Sequence, residues 1–213
     1  PVLAHEIRNP LGSIKAAAQH MESDAAEDEP RRLLRVIIEE VDRLNRVVSQ
    51  FLDYAKPHSA PQMRLQEVNP VIEKVLSLIA AQGTAVTVKI ETDLRAELPP
   101  VLADAEQLMQ VILNIAFNAI EEMPGGGILS VRTSRIGGEV GEAVGISIRD
   151  TGRGIRREDM RHIFKPFFTT KERGVGLGLA ICQKIVRRHG GNIRVKSLPG
   201  QGTIFYIRLP AAV

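Results

Sequence analysis

Ala4, Ile7, Leu11, Ile14, Ala18 and Met21 recur at alternating steps of three and four, and Leu34, Ile37, Val41, Leu44, Val48 and Phe51 repeat the pattern. A mean step of about 3.5 puts each set on one stripe of a helix, as in the seam of a coiled coil or bundle. Between the two runs, Asp24-Ala-Ala-Glu-Asp-Glu-Pro30 makes a short acidic turn, with Pro30 suited to the first turn of the second helix. Residues 1–57 therefore read as an antiparallel helical hairpin. Two helices with narrow apolar stripes cannot close a core alone, so pairing with a second copy into a four-helix bundle is expected.

Lys56-Pro57-His58-Ser59-Ala60-Pro61 is a linker bounded by prolines, and the periodicity changes after it. Residues 69–82 read as a helix, 85–92 alternate as a strand, and 104–123 form a helix opened by Asp104-Ala-Glu-Gln107 at capping-box spacing. Strands are expected at 128–135 and 144–150, a helix at 174–189, and two strands at the end. Strands and helices mixed with hairpins suit a layered sandwich better than a βαβ series. The predicted class is α+β: a dimerising helical hairpin over residues 1–60, then an α/β sandwich over 61–213.

Composition narrows this picture only a little. The 213 residues are 44% apolar, with no apolar run near the ~20 residues of a membrane span. Pro1-Val2-Leu3-Ala4 runs into a charged segment without a signal peptide, and the absent initiator Met reads as a fragment. Membrane contact is then expected only through a preceding region, and this part is expected in the cytoplasm. The net charge is 28 − 25 = +3, and no aromatic residues interleave with the basic clusters, so nucleic acid is not an expected partner. The single cysteine, Cys182, excludes an internal disulfide and lies among Ala180, Ile181, Ile185 and Val186, where a packing thiol is expected.

Candidate chemistry gathers in four places. On the helix from Asp104, the polar residues Gln107, Gln110, Asn114, Asn118 and Glu121 share a face; amides one turn apart can present oxygens to a hard cation or phosphate, or simply be solvated. Asp150 shares parity with Val144, Ile146 and Ile148, so its carboxylate should point inward. It then needs a donor, such as an adenine amine, or it caps the turn Thr151-Gly152-Arg153-Gly154. Gly174-Val-Gly176-Leu-Gly178 opens an apolar helix and can expose N–H groups to an anion, with the basic segment 156–173 before it as a potential lid. Of the five histidines, His5 stands out in His5-Glu6-Ile7-Arg8-Asn9-Pro10-Leu11. His5 and Asn9 lie one turn apart, Pro10 predicts a local kink, and Glu6 can hold one imidazole nitrogen while the other attacks.

Taken together, His5-Glu-x-x-Asn9-Pro, Asn114-x-x-x-Asn118-Ala, Asp150-x-Gly152-x-Gly154, Phe164-x-Pro-Phe167-Phe168 and Gly174-x-Gly176-x-Gly178 resemble the H, N, G1, F and G2 boxes of sensor histidine kinases. The wording Asn-Ala-Ile-Glu-Glu-Met-Pro-Gly-Gly-Gly resembles the nitrogen-regulation subfamily. The resemblance implies a GHKL-type sandwich binding ATP and Mg²⁺ under a lid. It implies that Asn118 ligates Mg²⁺, Asn114 supports the phosphates, and Asp150 takes the adenine amine with help from Thr203. Gly152, Gly154, Gly174, Gly176 and Gly178 would shape the pocket and Lys171 would meet phosphate. His5 would be the phosphoacceptor, Glu6 its acid/base, and Asn9 would orient water for a reverse, dephosphorylating reaction. The implied partners are a second copy of the chain and the receiver domain of a response regulator. Glu121 departs from the Lys or Arg common in the family, and Lys165 from an acidic residue. A gyrase-type ATPase using Glu121 or Glu122 to activate water, or a non-catalytic scaffold, are the competing readings.

Overall fold

Alternation builds the main sheet. The computed structural model describes residues 11–12, 14–21, 30–38, 41, 44, 61–81, 87–137, 141–171 and 175–212. The chain divides into two units, Pro1–His58 with Thr169–Leu177, and Ser59–Phe168 with Gly178–Val213.

In the second unit, β1 (Arg64–Gln66) leads into α3 (Val68–Ala81), β2 (Val88–Asp93), β3 (Val101–Ala103) and α4 (Ala105–Glu121). Then come β4 (Gly127–Ile136), β5 (Ala143–Arg149), α5 (Gly178–Arg188), β6 (Asn192–Leu198) and β7 (Gly202–Pro210). Five strands join in the order β2-β4-β5-β7-β6, with β2 parallel to β4 and the other pairs antiparallel. Register sets Val131 opposite Ile148 and Ile148 opposite Phe205, so alternate residues of neighbouring strands share one apolar face.

Helices cover that face. Val68, Val71, Ile72, Val75, Leu76 and Ile79 form the buried side of α3, and Leu108, Val111, Ile112, Ile115, Ala116 and Ala119 that of α4. These steps of three and four are what a helix needs to turn one stripe inward. Pro70 stands in the first turn of α3, where its missing N–H has no partner to lose. Asn69 fixes that end from its side chain: Nδ2 donates to the Arg95 carbonyl at 2.8 Å and Oδ1 accepts from Thr133 Oγ1 at 3.0 Å.

Two features differ from expectation. A small antiparallel sheet pairs β1 with β3, Leu65 facing Leu102. Three-residue strands show no alternation to detect, and both leucines are more than half exposed. Helix α5 begins at Gly178 rather than 174, because Gly176 takes φ +71 and leaves helical backbone.

In the first unit, residues 14–21 (α1) and 30–38 (α2) are helical. Of the expected stripe, Ala18, Leu34 and Val41 are buried, whereas Ile14, Met21, Ile37 and Leu44 remain 49, 61, 42 and 42% exposed. Ala4, Ile7, Val48, Phe51 and the turn at 24–29 lie outside the described residues.

Candidate functional site

The second unit gathers its polar chemistry where β5 and β7 run side by side. Asp150 follows the last residue of β5 and is only 4% exposed. Its Oδ1 accepts from the Gly152 N–H at 2.9 Å and the Thr203 N–H at 3.1 Å, and its own N–H donates to the Thr203 carbonyl at 2.9 Å. Among the described residues nothing donates to Oδ2. Burial pushes the carboxyl above its ordinary value, and the Glu122 charge adds to this, while the two backbone amides pull the other way. The result is a buried acceptor with one oxygen fixed by backbone and one available to a ligand donor.

The surrounding loop is shaped by close approach. A Cβ on Gly152 would stand 2.7 Å from the Glu122 carbonyl oxygen. Gly154 takes φ +72 and a side chain there would fall on the Leu198 carbonyl, so the left-handed turn and the contact both demand glycine. Ser197 ties this loop to the β6–β7 turn. Its Oγ accepts from the Ile155 N–H at 2.8 Å, donates to the Gly202 carbonyl at 2.9 Å and meets Thr203 Oγ1 at 2.9 Å. Thr203 thus serves Asp150 through its backbone, its hydroxyl being engaged with Ser197.

Helix α4 supplies the amides. Asp104 caps it, Oδ1 accepting from the Glu106 and Gln107 N–H groups at 3.0 and 3.1 Å. Asn114 and Asn118 lie a turn apart and half-buried. Asn114 faces α5: its side chain reaches the Cys182 thiol, and a Cβ on Gly178 would stand 3.9 Å from its Cγ. Asn118 carries the turn before Glu122, whose N–H donates to the Asn118 carbonyl at 3.2 Å. No group of three or more His, Cys, Asp or Glu converges for a metal among the described residues. A cation held chiefly by a ligand's phosphates needs few protein oxygens, and the Asn118 amide suits that demand.

Asp150, Gly152, Gly154 and Thr203 meet in one cluster, while Asn114, Asn118 and Gly178 belong to the same unit through α4 and α5. Lys171 and Gly176 fall in the other unit, and His5, Glu6, Asn9 and Gly174 lie outside the described residues. Phe164 packs edge-on against Phe205 with centroids 6.5 Å apart, whereas Phe167, at φ 66, is 59% exposed. Ser197 and the ion pair between Arg153 and Glu122 are additions that motif spacing does not announce. Their only trace in the sequence is a basic residue between two glycines and an acidic pair ending a helix.

Residues 103–213 match the family described as histidine kinase-, DNA gyrase B-, and HSP90-like ATPase, and residues 2–60 match the His Kinase A (phospho-acceptor) domain. The chain is 41% identical over 213 residues to the sensor histidine kinase ZraS of Escherichia coli O157:H7, covering 99% of this chain and 45% of that protein. It thus spans less than half the length of that relative. Full-length ShkA in complex with AMPPNP superposes with a TM-score of 0.79 at 29% identity, over 100% of this chain and 45% of that one. Histidine kinase ThkA in complex with the response regulator protein TrrA gives 0.73 at 28% identity, over 99% and 60%.

Proposed function

We propose, for a chain that belongs to the sensor histidine kinases, that it binds ATP with Mg²⁺ and transfers the γ-phosphoryl group to His5. The observation that carries this reading is the conjunction of a phospho-acceptor domain over residues 2–60 with an ATPase domain over 103–213 in one chain. Residues 1–60 serve as the dimerising phosphotransfer hairpin and 61–213 as the nucleotide-binding domain. The Asp150 carboxylate supports it: a purine amine would complete Oδ2, which no described residue does.

In this reading Asn118 offers its amide oxygen to Mg²⁺, Asn114 steadies the phosphate side, and Lys171 with Gly174, Gly176 and Gly178 meets phosphate. Bound Mg²⁺ would neutralise charge on the phosphate oxygens. One imidazole nitrogen of His5 forms the new N–P bond as the bond from phosphorus to the bridging oxygen breaks and ADP leaves. Glu6 holds the proton on the other nitrogen. Phosphohistidine then gives its phosphoryl group to an aspartate of a receiver domain; the similar kinase ThkA, solved in complex with a response regulator protein, supports such a partner. Asn9 orients water for removing that group from the receiver. In this reading the ATP-dependent reaction is cytoplasmic. No helix among the described residues is long and apolar enough to cross a membrane.

Calorimetric titration with ADP, with and without Mg²⁺, tests the nucleotide half. Binding should weaken in Asp150→Ala, and its dependence on Mg²⁺ should vanish in Asn118→Ala. Unchanged titrations in both variants would contradict the assignment.

A further inference from the structure

Arg153 and Glu122 form a two-point ion pair: Nε meets Oε2, and Nη2 meets Oε1 at 3.1 Å. The pair joins the Asp150 loop to the end of α4, 31 residues away in sequence. Both partners are themselves held by backbone. Glu122 sits one turn past Asn118, its N–H on the Asn118 carbonyl at 3.2 Å. Arg153 lies between Gly152, whose N–H orients Asp150 Oδ1, and Gly154, and its own carbonyl accepts from the Gly200 N–H at 2.7 Å.

We propose that this ion pair is a latch that holds the Asp150 loop against α4 and thereby sets how strictly the site reads the exocyclic amine of a purine. The proposal rests on the nucleotide reading above. Its logic is mechanical. Two glycines flank Arg153; the loop's backbone bonds from Arg153 and Ile155 run to Gly200 and Ser197 on the β6–β7 side, whereas the ion pair ties it to α4. If the loop moves, the Gly152 N–H leaves Oδ1, the carboxylate turns, and Oδ2 no longer faces the base. Arg153 also offsets a charge that would otherwise stand beside Asp150, where Glu122 already raises the carboxyl's proton affinity. The Arg153 side chain is 62% exposed and that of Glu122 21%, so the pair adds little to overall stability. Its effect belongs to loop position, which makes Glu122 and Arg153 positioning residues.

The test compares ADP with inosine diphosphate, which carries a carbonyl where adenine carries the amine. Both are titrated with Mg²⁺ into the full chain at fixed salt, with Glu122→Gln, Arg153→Gln, the exchange E122R/R153E, and Asp150→Ala. Each single latch variant should lose up to about fivefold in preference for ADP, the upper end for an exposed pair, and the exchange should recover it. A merely structural pair would weaken both nucleotides alike and leave the preference intact, which overturns the latch. Tighter binding in Glu122→Gln with weaker binding in Arg153→Gln would reveal a charge effect alone and also overturn it. Preference lost in Asp150→Ala but intact in both singles rejects the latch while keeping the nucleotide site; preference intact in Asp150→Ala rejects both.

Discussion

Burial of Asp150 outweighs the two amides on its Oδ1, which favour the charged form, so its proton is held more tightly in the folded chain than in the unfolded one. The ordinary value is 3.8 and the folded value lies above it. The native state therefore binds the extra proton between the two, and the stability Asp150 contributes is full below 3.8 and lost as pH rises through the raised value. Asp150→Asn should flatten this part of the stability curve in urea titrations run across mildly acidic pH. Equal slopes in both proteins would contradict it. A donor on Oδ2 favours the carboxylate, so nucleotide affinity should rise with pH over the same range. Cys182 makes a second, independent case. Burial pushes its thiol up to about 12, so iodoacetamide should leave it unmodified in the folded protein and label it fully in denaturant. The inward aim of Asp150 was legible from the alternation Val144, Ile146, Ile148, because a strand's period is fixed. The Arg153–Glu122 pair was not, since no local period couples residues that meet only through tertiary structure.

Among the elements, α4 was the most readable. Its cap, apolar stripe and polar face all obey one period, and the expected span of 104–123 differs from Ala105–Glu121 only at its ends. What the sequence did not reveal is how its start is anchored. His189, at the end of α5, donates from Nδ1 to the Ile185 carbonyl at 2.8 Å and accepts the Asp104 N–H on Nε2 at 3.0 Å. Asp104 Oδ2 accepts in turn from the Gln62 N–H at 2.9 Å, so the cap gathers three segments. His189→Leu should cost about 1–3 kcal/mol in urea unfolding, because it strands a part-buried amide. A loss within experimental error would show that the amide finds water instead. The glycines before α5 misled in an instructive way. Gly176 suits a left-handed turn, so the apolar period resumes as helix only at Gly178, and an N-terminal boundary read from glycines alone came out four residues early.

At the scale of the molecule, the hairpin stripe shows what a single chain leaves unfinished. Ala18, Leu34 and Val41 are buried, yet Ile14, Met21, Ile37 and Leu44 of the same stripe stay substantially exposed. In the proposed reading, a second copy would cover these apolar positions and complete the core. Ile37→Asp should therefore convert a dimer to a monomer by sedimentation; a monomeric parent chain, or a dimer indifferent to the change, would contradict this. The proposed division of labour between hairpin and sandwich is read from the different periods of the two halves, whereas the proposed catalytic encounter between them is not encoded in either period alone. That encounter is the central claim, and the fate of the γ-phosphoryl group tests it most directly. With γ-labelled ATP and Mg²⁺, the label should appear on the peptide containing His5, labile to acid and stable to alkali, and be absent from His5→Ala. Free phosphate released at the same rate by His5→Ala, with no label on the parent protein, would contradict the account.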